Sequence, residues 1–576
     1  MVSFYGRFKA SLVPVGDEEY IQNRPRSAAA LTSQFNDTRL LSYYTYGVNQ
    51  NREGRFYMGI FIHLSISRSI TQKEWTPVYE EALSLARKLG LAEARREEIG
   101  GVPVCCFGLT RECTEHNEWR NTDWTGFHIC GDYETLQSAE QNSFPRKLGA
   151  DTNPSERFDA MLETYRACND HKYRGNIYSL LGAKTQGYAH HLPLLAVCCL
   201  IQDRLGAQAF VYGDISAGQC RRAVEMANAY LDPPISVPDF CSSALIPHIH
   251  TLHIPEEEQI ALLGWAYEGK KNAAYGAALR ESFGEEACAR MWDAQCEEYN
   301  AELDGVRRLL TDYLNQGFDL EALCRRFPFK AEDPEAARTL FVQKLLNTGL
   351  CEEDRESVVS PLDPDSETPY GIDALFANWF LGGPCLDPSI YMPLEKCREL
   401  LIRGLGSREA VDAGIAAYQE EQQKKAEEQN SEPEETSEAA SEEQDAETTE
   451  EEYDIETTYG LIHYQPGCSI DPDLLLHLRR FFAFYTKIVQ EERMSALKES
   501  GATECIRFLA KNPTLKLRDC DWQQIYDRLR ADPESFARYY PAGQAEIESD
   551  AAMYVIRAIL TNDDFYALLR GEQSGN

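Results

Sequence analysis

The chain has 576 residues, of which 43% are hydrophobic, 11% aromatic and 26% charged. This length predicts several folded units, and the composition supplies enough apolar side chains to build their cores without disulfide bonds. The formal net charge of −36 at pH 7 repels phosphate backbones and anionic lipid headgroups, so we expect neither nucleic-acid binding nor membrane binding.

The amino terminus and the cysteines indicate a cytoplasmic protein. The first residues, MVSFYGRFKA, lack the basic stretch, apolar run and small-residue cleavage site of a secretory signal. The longest apolar run, Leu192–Ile201, is too short to span a membrane and predicts a buried helix. The 18 cysteines are scattered, and Cys198 and Cys199 lie in apolar helical surroundings, so we expect reduced thiols in the cores.

The first part of the chain predicts an α+β unit. Apolar residues alternate from Phe56 to Ile66, which indicates a strand. A helical pattern follows over Trp75–Leu89, and Val102–Leu109 and Gly126–Cys130 resemble strands. A strand, a helix and two further strands are typical of a mixed sheet with helices.

A second stretch combines two helices with one strand. The patterns predict a helix over His191–Leu205, a strand over Ala207–Tyr212 and a helix over Ser216–Leu231. Because one strand cannot form a sheet alone, we expect this stretch to join the first sheet in one α/β domain over residues 1–245. The alternative is two sub-units, 1–150 and 151–245.

The rest of the chain predicts mainly helices, interrupted by an acidic segment. We expect a helical domain over 255–418, a flexible linker over 420–456 and a small all-α bundle over 457–576. The linker contains 17 acidic residues and two lysines, and too few apolar residues to offset the entropy of ordering. We interpret the linker as a solvated tether; the alternative is an acidic segment that binds a basic partner.

One candidate metal site is the histidine-rich segment His248, His250 and His253, which precedes three glutamates. In an extended segment His248 and His250 point the same way, and imidazole with carboxylate can bind zinc or another divalent metal. Prolines flank the segment, and the spacing lacks the helical pair of a zincin-type hydrolase. The alternative is a polar connector between domains.

A second candidate metal site joins Cys113 and His116 with His128 and Cys130. Cys113 and His116 have a gap typical of zinc knuckles, and His128 with Cys130 could complete a tetrahedron. Cys106 is a further thiol in the same region. Paired CxxC ligands are missing from the sequence, so the alternative is core cysteines on a sheet.

A candidate ligand site precedes the predicted helix at His191. Lys184, Thr185 and Gln186 lie shortly before it, and His190 and His191 adjoin it. Because a helix amino terminus attracts anions, these groups could bind a small anionic ligand. The alternative is that they only satisfy the first amides of the helix.

Two aspartates follow predicted strands and are candidates for acid–base chemistry. Asp132 follows the strand at Gly126–Cys130, and Asp214 follows the strand at Ala207–Tyr212. Acidic side chains at strand ends often carry the chemistry of α/β proteins. Aspartate is also an ordinary helix cap, which is the alternative.

Two functions fit these patterns. The sequence contains neither a GxSxG nucleophile elbow nor a Rossmann fingerprint. We therefore predict a cytoplasmic protein-interaction or regulatory scaffold protein that docks a protein partner through its tethered bundle. The alternative is a metal- or anion-dependent, hydrolase-like enzyme whose site, at the α/β-helical junction, includes catalytic His190, His191 and Asp214.

Overall fold

The fold of the protein is seen in a computed structural model. The described residues are 48–50, 56–117, 122–149, 157–297, 299–303, 305–329, 332–353, 363–371, 390–430 and 458–571. Most of the predicted linker over 420–456 lies outside them.

The strands of the protein pair in an antiparallel manner throughout. They are β1 (Val48–Gln50), β2 (Phe56–Met58), β3 (Phe61–Ser67), β4 (Leu91–Ile99), β5 (Val102–Leu109), β6 (Glu112–Asn117), β7 (Thr122–Asp132), β8 (Ser138–Pro145), β9 (Ile177–Lys184) and β10 (Ala209–Gly213). β1 pairs with β2, a central sheet has the order β10-β3-β9, and an outer sheet has the order β5-β4-β7-β6 with β8 beside β7.

The α-helices lie between these strands and in the remainder of the described chain. They are α1 (Gln72–Lys88), α2 (Ala160–Asn169), α3 (His191–Leu205), α4 (Ala217–Asn228), α5 (Leu245–His250), α6 (Glu256–Ala266), α7 (Ala273–Glu297), α8 (Val306–Asn315), α9 (Leu320–Arg326), α10 (Pro334–Leu346), α11 (Leu394–Leu405), α12 (Arg408–Asn430), α13 (Pro472–Thr486), α14 (Glu491–Glu499), α15 (Ala502–Leu509), α16 (Asp519–Ala531), α17 (Phe536–Tyr539), α18 (Asp550–Thr561) and α19 (Asp563–Arg570). The protein is thus an α+β body followed by mainly helical regions, which confirms the predicted fold class.

The central sheet forms the core of the amino-terminal body. Ile62, Leu64 and Ile66 of β3 are buried with the apolar helix α3, which packs on β3 and β10. The other face is covered by α2 and by Trp265, whose ring lies 6.1 Å from that of Tyr212. The second predicted stretch therefore pairs with β3, which lies in a different sheet from β5 and β7 rather than in one sheet with them as expected.

The predicted strand over Phe56–Ile66 is two strands in the structure. β2 ends at Met58 and pairs with β1, whereas β3 begins at Phe61 and pairs with β9 and β10. Between them the Ile60 carbonyl accepts the Thr185 backbone N–H at 2.8 Å. The alternation of apolar residues continues through this change of partner, so it did not reveal the break.

The carboxy-terminal helices pack against the outer sheet. Ile99, Val102 and Val104 of the β4–β5 hairpin share one apolar cluster with the helices after residue 460. The Phe107 backbone N–H also donates to the Leu517 carbonyl at 3.0 Å. The bundle and the hairpin therefore form one continuous core.

The cysteines in the described part of the chain are free thiols, and most are buried. α12 extends into the acidic segment as far as Asn430. No helix within the described ranges combines the length and the apolar character needed to span a bilayer.

Candidate functional site

Two neighbouring strands of the outer sheet bring together three potential metal ligands. Cys113 and Glu115 are two residues apart on β6, so their side chains share one face of the sheet. β7 pairs with β6, and its residue His128 contributes to the same face. The Cys113 thiol, a Glu115 carboxylate oxygen and a His128 ring nitrogen all lie within 4.8 Å of one another.

The hydrogen bonds of His128 orient its ring. Nε2 lies 3.0 Å from Glu115 Oε1, and Nδ1 lies 2.7 Å from Ser143 Oγ on β8. If Nδ1–H donates to Ser143, the Nε2 lone pair faces the Glu115 carboxylate, and a cation between them removes the repulsion. The same distances also fit a metal-free ring, in which Nδ1 accepts a hydrogen bond from Ser143 and Nε2–H donates to Glu115. Metal titration therefore distinguishes the metal-bound state of His128 from the metal-free state.

An aromatic side chain packs against the His128 ring. The Trp124 ring stacks on the His128 ring at a centroid distance of 4.7 Å. The space for the indole comes from Gly126, where a Cβ atom would lie 2.5 Å from the Trp124 ring and 2.2 Å from the Phe144 carbonyl oxygen. The stacked indole limits rotation of the imidazole.

The three ligands open into a groove of about 400 Å³. Its lining residues are Glu93, Ala94, Arg95, Arg96, Cys105, Arg111, Cys113, Glu115, His128 and Gln141. Arg96 is exposed, and the Arg111 side chain is 50% exposed, so both guanidinium groups reach solvent at the groove. The groove can therefore admit a ligand to the open side of the cluster.

Burial changes the acidity of two groups in the groove. Burial, reinforced by Glu115 and Glu93, raises the pKa of the Cys113 thiol to about 11. Burial also raises the pKa of Glu93, although Arg95 and Arg111 bind its carboxylate at 3.0 and 3.5 Å. A bound cation would stabilise the Cys113 thiolate, as metal ions do for ligating thiols.

The structure places the other predicted zinc ligands elsewhere. His116 is exposed, and its Nδ1 lies 2.8 Å from Asp123. Cys130 is buried in a small apolar cluster, and Cys106 is buried in the core shared with the bundle. Glu115 is not among the predicted ligands, which are only cysteines and histidines, although its two-residue spacing from Cys113 in a strand is the signal that places both on one face.

The histidine-rich segment is a helix rather than an extended chain. Leu245, Ile246 and Ile249 bury one side of α5, which favours helical spacing over alternation. His250 Nδ1 lies 2.9 Å from Gln259 Oε1, and His253 follows the helix as an exposed residue. His248 and His250 therefore do not share a strand face, which was the basis of the predicted site.

His248 instead forms a charged cluster with two aspartates. Its Nε2 lies 2.8 Å from Asp159 Oδ2 and its Nδ1 lies 2.6 Å from Asp239 Oδ2. Hydrogen bonds to Asp159 and Asp239 raise the pKa of His248 from 6.5 to about 10. The imidazolium thus links α5 to the cap of α2, because Asp159 also accepts the Leu162 backbone N–H.

We expect the contribution of His248 to stability to depend on pH. A raised pKa in the folded state means that the contribution is complete below about pH 6.5 and is lost as the pH rises towards 10. His248→Gln should therefore lower the free energy of unfolding by about 1–3 kcal/mol at pH 6 and by less at pH 10. Urea unfolding at pH 6 and at pH 10 measures this difference in the free energy of unfolding, with His250→Gln as the control. An equal loss of stability at the two pH values would contradict the role of His248.

The predicted anion site contains a buried hydrogen-bond network. Thr185 Oγ1 lies 2.7 Å from His191 Nδ1, and His191 Nε2 lies 3.2 Å from Gln219 Oε1 on α4. Burial lowers the pKa of both His190 and His191 to about 4, so both rings are neutral at pH 7. Gln186 Oε1 accepts the Ile60 backbone N–H at 3.4 Å. Thr185, His191 and Gln219 therefore bind one another in the interior of the protein.

The remaining predicted residues lie near this network or apart from it. The side chain of Lys184 passes over Gly59, where a Cβ atom would lie 2.3 Å from Lys184 Cε. Asp214 Oδ2 accepts the Phe61 backbone N–H at 2.8 Å, one residue from Ile60. Asp132 Oδ1 accepts the Glu134 and Thr135 backbone N–H groups at 3.1 and 2.6 Å, so Asp132 closes the turn between β7 and β8 and does not cap a helix.

No protein-family model, curated protein or solved structure matches this chain.

Proposed function

We propose that the protein binds one divalent transition-metal ion through Cys113, Glu115 and His128. The observation that carries this proposal is the convergence of the three ligand atoms within 4.8 Å on one sheet face. Three ligand types, sulfur, oxygen and imidazole nitrogen, favour zinc over magnesium or calcium, which prefer oxygen alone. The contact between His128 and Ser143 is the kind of supporting hydrogen bond that orients a metal-bound imidazole.

The site would leave a coordination position for water or a ligand from the groove. Zinc sites with three protein ligands and an open position are typical of catalysis, in which the ion activates water or polarises a bound group. The exposed Arg96 side chain at the groove favours a ligand with an anionic group, whereas Arg111 is already paired with Glu93 and Glu97. The proposal therefore places a metal-dependent activity on the outer sheet rather than at the α/β-helical junction.

Zinc titration of the metal-free protein tests the proposal. We expect one Zn²⁺ per chain by native mass spectrometry and calorimetry. Cys113→Ser and His128→Ala should each weaken binding more than about 100-fold, since loss of a supporting residue alone costs 10–100-fold. Ser143→Ala, which removes only the partner of His128, should weaken it about 10-fold.

Matched controls separate this site from chance binding. His116→Ala removes an exposed imidazole from β6, the strand that carries Cys113 and Glu115. Cys105→Ser removes an exposed thiol that lines the groove. Both should bind zinc like the unaltered protein. Absence of stoichiometric zinc, or unchanged affinity in Cys113→Ser with its folding confirmed by circular dichroism, would overturn the proposal.

The protein-interaction role predicted from the sequence is our second proposal. One observation favours it, namely that residues 363–371 bind the start of α4 through their main-chain carbonyl groups. Grooves that bind main-chain groups are a common means of peptide recognition. The two proposals involve separate sites and are tested separately.

A further inference from the structure

The segment that we call the strap, residues 363–371, lies across the first turn of α4. The Gly218 backbone N–H donates to the Pro364 carbonyl at 2.8 Å. Ser216 Oγ donates to the Ser366 carbonyl at 2.7 Å, and Gln219 Nε2 donates to the Thr368 carbonyl at 3.2 Å. Donors on the α4 turn thus bind acceptors spaced along the strap.

Two glycines allow the backbone of the strap to come this close. A Cβ atom at Gly218 would lie 2.4 Å from both the Asp365 and the Ser366 carbonyl oxygens. A Cβ atom at Gly187 would lie 2.3 Å from the Tyr370 carbonyl oxygen. A side chain at either position would displace the strap, because backbone atoms cannot move aside as a flexible side chain can.

Two cationic side chains contact two of the acidic residues of the strap. Arg221 donates to Asp365 Oδ1 at 2.8 Å. Lys270 Nζ lies 3.5 Å from Asp363 and 3.7 Å from Asp365. Both cations are partly exposed, so they select acidic side chains more than they add affinity.

The strap forms its own local turn. The Ser366 backbone N–H donates to the Asp363 carbonyl at 2.8 Å, and the Asp365 backbone N–H donates to Asp363 Oδ1 at 2.8 Å. Pro364 occupies the second turn position, where its fixed φ is favourable. A free peptide of this sequence should form the same turn, which lowers the entropy that it loses on binding.

We infer that Ser216, Gly218, Gln219, Arg221 and Lys270 form a recognition site for an acidic turn peptide, which the strap occupies within the chain. These five residues are called the seat. This inference rests on the second proposed function, because the partner that it implies is a protein with an Asp-Pro-Asp-Ser-like turn. The seat binds carbonyl groups and carboxylates, so it does not depend on which chain supplies them. The strap has the advantage of a high effective concentration, and a partner must compete with it.

Release of the strap makes binding in trans measurable. The variant Asp363→Lys/Asp365→Lys places two lysines beside Arg221 and Lys270 and should release the strap. We expect a fluorescent peptide with the sequence DPDSETPYG to bind this variant at least about 10-fold more tightly than it binds the unaltered protein, by fluorescence polarisation. The same peptide with both aspartates replaced by lysine should not bind.

Gly218 provides the specific test of the seat. In the released variant, Gly218→Ala should weaken peptide binding at least about 10-fold, because the added Cβ meets the peptide backbone. In the otherwise unaltered chain, Gly218→Ala should increase hydrogen exchange in residues 363–371. Gly264→Ala is the matched control, because it adds a Cβ to a helix where nothing lies within 4 Å, and both readouts should stay unchanged.

Three results would overturn the inference. The first is absence of peptide binding to the released variant while its circular dichroism shows an intact fold. The second is equal peptide binding with and without Gly218→Ala. The third is a purified partner that binds the Gly218→Ala variant fully, which would leave the interaction role standing and remove the seat from it.

Discussion

Asp521→Asn is expected to lower the free energy of unfolding by about 3–5 kcal/mol, because it leaves a buried arginine without its carboxylate. The side chains of Arg557 and Asp521 are 0% and 2% exposed, and Arg557 Nε lies 3.0 Å from Asp521 Oδ2. Arg557 also donates to the Glu134 carbonyl at 2.7 Å and so links the bundle to the outer sheet. Burial lowers the pKa of Arg557, and the Asp521 carboxylate opposes this shift.

Asp521 also pairs with a second arginine, Arg518. Its carboxylate accepts two hydrogen bonds from the Arg518 guanidinium, at 2.9 and 3.1 Å, and one from the Arg518 backbone N–H at 3.1 Å. Removal of the negative charge therefore affects two arginines and the start of α16 together. Arg557→Met alone should cost less, because Asp521 keeps its contacts with Arg518.

A double-mutant cycle measures this coupling by urea unfolding followed by tryptophan fluorescence. Arg557→Met in the Asp521→Asn background should recover part of the loss, because it removes the unpaired charge. Asp527→Asn, on the exposed side of the same helix, is the control and should change stability by less than about 0.5 kcal/mol. A loss of similar size for Asp527→Asn and Asp521→Asn would contradict the role of the buried pair.

The second large effect is expected at Asp214, where Asp214→Asn should stabilise the protein at neutral pH. The Asp214 side chain is buried, and burial raises its pKa from 3.8 to about 7, although the Phe61 N–H opposes this. A raised pKa in the folded state means that stability is complete below about pH 4 and is lost as the pH rises to 7. Because one pKa unit corresponds to about 1.4 kcal/mol, the loss in the unaltered protein approaches about 4 kcal/mol.

The asparagine variant removes this pH dependence and keeps an oxygen that can accept the Phe61 N–H. Its unfolding free energy relative to the unaltered protein should therefore rise between pH 4 and pH 7 and then level off. Urea unfolding across this range measures the slope, with Asp527→Asn as the comparison. A difference that stays constant with pH would show that Asp214 ionises in the folded state as readily as in the unfolded chain.

The candidate metal centre shows how far sequence patterns reach. Cys113 and His128 could be selected because cysteine and histidine are rare and their chemistry is specific. Glu115 could not be distinguished from the many other glutamates until the pairing of β6 with β7 placed it beside them. His116 is not part of the cluster because it is next to Glu115 in β6, and neighbouring residues of a strand point to opposite faces. Cys130 is not part of it because its side chain lies in a small apolar cluster.

Three of the unpredicted strands, β4, β6 and β8, were missed for the same physical reason. β4 contains the sequence LAEARREEI, and β6 and β8 are similarly polar, so neither apolar runs nor clear alternation marks them. Their stability comes from pairing with β5 and β7, which lie elsewhere in the sequence. Strand formation depends on such partners more than helix formation does.

The fold class and the strongly apolar elements could be predicted from the residues alone. α3 begins at His191 and ends at Leu205 as predicted, and β5 has its predicted bounds, because these segments carry enough apolar surface to define their own burial. Which polar residues meet depends on long-range packing, which brings together Glu115 with His128, Asp521 with Arg557, and the strap with Gly218. These contacts join residues that are distant in sequence or identical in type to many others, so local periodicity carries no information about them.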